Sequence, residues 1–347
     1  MSETQENKDL VRAFHVEWEH AGDDDRALEV LSSYTANNYL WRGMHPFDEQ
    51  SGAASVYENF WGPLRAAFSH LQRREDIFFA GVNDCDNRDG DNRQTNWVLS
   101  AGNFLGLFDH PWLGIPPTGR MLLLPYAEFH RVRNGEIVET ALFIDILSVM
   151  YQAGVYPLPP MTGSPLVYKL PPRTNDGVLL GEHDVRQGED TLALVNRMIT
   201  DLDQLNQSQD DTCPPELLAQ TWDKHMIWYG PTGIGASYTI PRYQKQHQLP
   251  FRRGLSHKVF NGHVARFAEG NYCGFFGWPN LNNRNRGGFL GLPASDVDAP
   301  MRVVDIYRRE GNLLVENWVF IDIPHYLHAQ GLDVLGRMAN VQRPFGR

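Results

Sequence analysis

The stretch Leu124-Pro125-Tyr126-Ala127-Glu128-Phe129-His130 sets three protonatable side chains, Tyr126, Glu128 and His130, at every second position. Alternate residues of an extended strand share a face, so an acid, a base and a hydrogen-bond donor stand together, opposite Phe129. If that face lines a cavity, such a set can take a proton from carbon and return it elsewhere. If it is solvated, Glu128 pairs with Arg131 or Arg133, and both readings are open at this point. Asp305, with Val303 and Tyr307 in the same alternation, repeats the arrangement farther along the chain. A carboxyl group walled by apolar side chains has its pKa raised by desolvation, which suits it to proton transfer near neutrality. Asp145 and Asp322 each end a strand-like run and precede a short helical run closed by Gly154 or Gly331, so they read as helix N-caps. Trp41, Trp228 and Tyr229 are candidates to wall a cavity, with core packing as the alternative. The histidines show no HxH or HExxH spacing and Cys85, Cys213 and Cys273 form no CxxC pair. No metal site, no cofactor and no disulfide framework are expected.

The elements that must position these residues occur twice. Compared with itself, the sequence repeats at an offset of 177 residues, the separation of Asp145 from Asp322. Arg131, Val138, Glu139 and Phe143-Ile144-Asp145-Ile146 meet Arg308, Val315, Glu316 and Phe320-Ile321-Asp322-Ile323. A repeat this long means duplicated domains rather than a solenoid. Between the copies, Pro157, Pro159, Pro160, Pro165, Pro171 and Pro172 interrupt helix and sheet alike and favour an extended, stiff path. The expected organisation is a first domain over 1–155, a linker over 156–180 and a second domain over 181–347. Each copy opens with helical spacing: Leu10, Phe14 and Trp18 in the first, and Leu192, Val195, Ile199 and Leu202 in the second. A further helix is expected over 53–68 and its counterpart over 240–248. Strands follow over 77–82, 96–107, 122–132 and 137–144, the last two joined at Asn134-Gly135, a hairpin signal. The later strands 303–308 and 313–321 match them, and Asn282 to Gly288 read as a loop. The fold class expected is α+β: two tandem cones, each with N-terminal helices packed on a curved antiparallel sheet.

The segment Gly114-Ile115-Pro116-Pro117-Thr118-Gly119-Arg120, the hairpin Asn134-Gly135-Glu136-Ile137-Val138-Glu139, Phe143-Ile144-Asp145 and the closing Gln152-Ala153-Gly154 resemble the SnoaL-like polyketide cyclases of the NTF2-like superfamily. In the second copy, Val315-Glu316-Asn317-Trp318-Val319-Phe320-Ile321-Asp322 keeps the tryptophan of that ending, while the Pro-Thr-Gly stretch has become Pro293-Ala294-Ser295-Asp296. The resemblance implies cofactor-independent intramolecular aldol chemistry on an apolar, polyketide-like small molecule. It also implies association of the two domains through their sheets as an intramolecular pseudo-dimer, with a further homodimer left open. This chain departs from the family's pattern at its acid: that position falls on Leu142 and Val319, and the neighbouring histidine position on Glu128 and Asp305. The site residues that follow are Glu128 and Asp305 as candidate bases, with Trp41, Tyr126, His130, Leu142, Trp228, Tyr229, Tyr307 and Val319 around the substrate.

Composition narrows the rest. A formal net charge of -11 disfavours attraction to phosphate backbones, and no basic stripe is interleaved with aromatics, so nucleic acid is not an expected partner. No apolar run approaches the roughly 20 residues that cross a bilayer, and Met1 to Leu10 lack the features of a secretory signal, so a cytoplasmic location is expected. A small-molecule enzyme is the first reading. A noncatalytic binder, or a dehydratase or isomerase on the same scaffold, is the alternative.

Overall fold

The computed structural model describes residues 2–85, 94–207 and 214–341; Cys213 lies outside them. In the first half, Ser2 caps α1 (Glu3–Glu19), and Asp23 accepts the Arg26 amide to cap α2 (Asp24–Tyr34). Short polar side chains at these points satisfy amides that the first helical turn leaves unbonded. A helical run over 53–67 follows, through a π-helical turn at Tyr57–Trp61. The strands are β1 (Thr35–Gly43), β2 (Asp48–Ser51), β3 (Phe68–Val82), β4 (Asn96–Phe108), β5 (Met121–Arg133) and β6 (Glu136–Ile144), in the order β2-β1-β6-β5-β4-β3. Asn134 and Gly135 both take positive φ, 53° and 78°, as the two-residue turn between β5 and β6 requires.

The second half repeats this plan. The helix Val185–Gln207 leads, followed by β7 (Trp222–Tyr229), β8 (Ser237–Tyr238) and a helical run over 240–254. Then come β9 (Leu255–Phe260), β10 (Ala265–Glu269), β11 (Tyr272–Asn285), β12 (Ala299–Glu310) and β13 (Leu313–Ile321). The sheet order is β10-β11-β12-β13-β7-β8, with β9 also paired to β11, so β9 and β10 together stand where β3 stands in the first half. The chain is an α+β protein of two tandem domains.

Three expectations need correction. Both sheets are mixed rather than antiparallel, because β1 runs parallel to β6 and β7 parallel to β13. Those pairs join strands remote in sequence with no hairpin between them, so no local signal announces their direction. The third strand begins at Phe68 rather than Ile77. Asn282 to Asn285 continue β11 in place of the expected loop, bonded to β9 and β12.

One face of each sheet is covered by its own helices and the other by the opposite sheet. Phe129 packs on Phe267 and Phe276 with ring centroids 6.0 and 4.9 Å apart, and Phe143 on Phe276 and Trp278 at 6.1 and 5.7 Å. Gly274 permits the approach: a Cβ there would lie 2.7 Å from the Leu99 side chain. Double coverage explains why β5 is buried almost throughout although its sequence alternates. The caps reinforce the contact reciprocally. Asp145 accepts the Ser148 amide of its own helix and, at 2.9 Å, the Thr232 amide of the second domain. Asp322 accepts the His325 amide and, at 2.9 Å, the His45 amide of the first.

Candidate functional site

In the first domain, Tyr126, Glu128 and His130 share the helix-facing side of β5, and Leu142 stands opposite Glu128 on β6. Among the described residues, side chains fill the space in front of that face. The register shift of β3 between Ser69 and Gln72 turns Arg73 inward, where its guanidinium lies over the rings of Phe104 and Tyr126, 5.0 and 4.8 Å from their centroids. Arg73 Nη1 comes within 2.8 Å of Glu128 Oε2. Trp18 and Trp61 fill the adjacent space, 5.0 Å apart, and the remaining void is about 20 Å³. Burial alone would push the Glu128 carboxyl up, but Arg73 and His130 outweigh it and hold Glu128 well below the usual carboxylate range. This corrects the expectation of a raised pKa at Glu128: desolvation is present, yet a buried cation opposes it. Trp41 is fully buried against Phe60 and Phe47, a core residue rather than a cavity wall.

The second domain keeps its interior open. A cavity of about 230 Å³ lies between its sheet and helices, lined by Trp228, Asp305, Tyr307 and Val319 among others. Structural register explains the difference. Arg73 of β3 pairs with Phe104, and the matching pair in the second domain is Phe260 and Leu281, so the buried guanidinium is replaced by an apolar ring at the cavity rim. Ser100, opposite Glu128, is likewise answered by Phe275, opposite Asp305.

Asp305 is half-buried by area only because the cavity reaches it; protein encloses it otherwise. Asn317 Nδ2 donates to its Oδ1 at 3.2 Å, and no cation among the described residues forms an ion pair with it. Burial raises its pKa to about 7, against smaller opposing effects from Asn317, Tyr307 and Lys169. Lys169, from the linker, donates to the Val319 carbonyl and sits 3.6 Å from the Phe320 ring centroid, and burial lowers its own pKa to about 8. Near neutral pH Asp305 is therefore a carboxyl able both to accept and to release a proton.

Two histidines absent from the sequence reading also line this cavity. His247 stacks on Trp228 at 4.0 Å, and burial lowers its pKa to about 3, so its imidazole is neutral; its Nδ1 has no hydrogen-bond partner among the described residues. His263 stacks on Phe275 at 3.9 Å and is held neutral by burial and by Arg266, with a pKa of about 3. A signal for the first was present in the sequence: Tyr243, His247 and Phe251 recur every fourth residue, one face of the helical run, and all three line the cavity. Tyr229 does not join them. Trp228 faces the cavity, so its neighbour on β7 must face away, and Tyr229 stacks on Trp318 at 5.4 Å instead.

Among solved structures, the chain is similar to a candidate SnoaL-like polyketide cyclase from Jannaschia sp. CCS1, at 21% identity and a TM-score of 0.33, covering 45% of this chain and 97% of that one. It is also similar to a candidate polyketide cyclase from Xanthomonas campestris pv. campestris (18% identity, TM-score 0.33, 44% and 99% covered). A third is an NTF2-like protein from Burkholderia thailandensis E264 (19% identity, TM-score 0.30, 44% and 98% covered). No protein-family model matches the chain, and no curated protein does.

Proposed function

We propose that the second domain binds an apolar small molecule in its cavity and that Asp305 exchanges a proton with it, without a cofactor taking part in that step. The observation that supports this is the contrast between two carboxyl groups at matching positions. Glu128 is neutralised by Arg73 and has no void beside it, whereas Asp305 faces an open, aromatic-walled cavity with its pKa brought to about 7. A carboxylate in such surroundings removes a proton made acidic by adjacent carbonyls, and the resulting enolate oxygen needs only a few fixed donors. The neutral imidazoles of His247 and His263 line the same cavity, and Tyr307 bonds Asp305 itself. Intramolecular aldol closure of a ketone or ester substrate is the reaction that fits; dehydration and isomerisation use the same proton transfer. The first domain serves as a scaffold in this reading.

The second reading, a binder without turnover, is favoured by one observation: Val319, beside Asp305 on β13, is aliphatic, so the carboxyl has no acidic partner across the strand pair. Asp305→Asn distinguishes the two. Turnover of a ligand recovered from a metabolite extract is expected to fall by about 10²–10⁴-fold with its affinity little changed, the contribution typical of a general acid–base. Undiminished turnover in Asp305→Asn would remove the proton-transfer role, and tight binding with no product from either protein would leave the binder.

A further inference from the structure

The packed interior of the first domain brings three side chains of metal-ligating type together. His15 Nε2 and His130 Nε2 lie 3.4 Å apart, Glu128 Oε2 is 3.4 Å from His130 Nε2, and His15 Nε2 is 3.7 Å from the same oxygen. All three residues are buried. The two contacts to the carboxylate are too long, and the nitrogen pair too loose, to be good hydrogen bonds. They are close to the edges of a tetrahedron around an ion: ligands at about 2.0–2.1 Å stand roughly 3.3 Å from one another. Each ring has an oxygen on its far side. His15 Nδ1 is 3.7 Å from Glu75 Oε2, and Glu75 is itself bonded by Ser100; His130 Nδ1 is 2.9 Å from Thr140 Oγ1. Outer partners of metal-bound histidines stand in such positions. Two imidazole nitrogens and a carboxylate oxygen thus converge on one point.

We propose that His15, Glu128 and His130 bind one divalent transition-metal ion of the zinc class, which ties α1 to β5. Two imidazoles and one carboxylate suit borderline-soft ions such as Zn(II) and Co(II) better than Mg(II) or Ca(II), which prefer oxygen. The Arg73 guanidinium lies 2.8 Å from the same Glu128 oxygen, and its charge weakens the site without closing it. Beside His15 and Arg73 the remaining void is about 20 Å³, room for a water but not for a substrate. The site is thus a cross-brace in the domain whose interior is filled, independent of the Asp305 cavity and of the reaction proposed there.

The full chain, stripped with a chelator and desalted, would be titrated with Co(II) alone and with Zn(II) alone, following visible absorption and metal content. One ion per chain, with the intense bands of four-coordinate Co(II), is expected. His15→Gln and His130→Gln should each weaken binding by at least about a hundredfold, the upper end of what losing even an outer partner costs. His328→Gln tests the half-exposed group His45, His328 and Asp333, which also brings ligand atoms together, and should leave the titration unchanged. Circular dichroism checks that each variant folds; if neither His15 nor His130 variant does, the wild-type Co(II) spectrum decides. A spectrum of hydrated Co(II), no retained ion, or binding lost in His328→Gln but kept in His15→Gln would overturn the assignment.

Discussion

Asp305 and Glu128 occupy matching positions and differ because of what stands beside each. Enclosure dominates at Asp305, while at Glu128 the Arg73 guanidinium outweighs it. A pH effect of definite sign follows for Asp305. Its folded-state pKa of about 7 exceeds the ordinary 3.8, so between these values the native state keeps a proton that the unfolded chain has released. Stability then falls as pH rises from about 4 to 7 and levels off above, by roughly 2–4 kcal/mol once water entering the cavity is allowed for. Asp305→Asn removes that cost. Urea unfolding should show the variant matching wild type near pH 4 and exceeding it by a few kcal/mol at pH 8; a variant less stable at pH 8 would contradict the enclosed, unpaired carboxyl. The reaction should carry the same signature in kcat/KM, rising through an apparent pKa near 7 if Asp305 is the base.

At the scale of elements, the final helix of each domain begins at an aspartate that serves two amides, one in its own helix and one in the other domain. Asp145→Ala loses an N-cap, about 1 kcal/mol, and strands the buried Thr232 amide, about 1–3 kcal/mol more. Equilibrium unfolding should register a loss of roughly 2–4 kcal/mol, and Asp145→Asn, which keeps an acceptor oxygen, should recover most of it. The cap itself was legible in the sequence, because an N-cap needs only Asp ahead of a helical run; the second bond was not, because it depends on how the domains meet. The same division holds at the site. Strand alternation put Tyr126, Glu128 and His130 on one face, and they are on one face. Whether a cavity or a cation lies before that face turns on Arg73, remote in sequence and aimed inward by the irregularity after Ser69. Trp228 and Tyr229 were both candidates for a cavity wall, yet adjacent strand residues point opposite ways, so at most one of them could be. The parallel pairing of β1 with β6 and of β7 with β13 had no local signal at all.

The whole molecule is held by what the repeat brings face to face. Phe276 of β11 touches Trp97, Phe129 and Phe143 of the first sheet, and Glu269, beyond it on β10, accepts the Ala80 amide at 2.8 Å and pairs with buried Lys8 of α1. An interface this apolar resembles a domain interior more than a contact between mobile neighbours. The two domains are therefore expected to unfold as one cooperative unit, and the reason is energetic: separating them would expose Phe79, Phe129, Phe143, Phe267, Phe276 and Trp278 to water and leave both reciprocal caps unbonded. Phe276→Ala is expected to cost about 3–5 kcal/mol, the range for removing a buried phenyl ring. Calorimetry should show a single transition in the wild type. In the variant that transition should move down as a whole, because the ring lost belongs to the core of both domains. Two separate transitions, with only the second domain's shifted by Phe276→Ala, would mean that the sheets touch without sharing stability. In that case the filled first domain could not be what holds the open cavity of the second in shape.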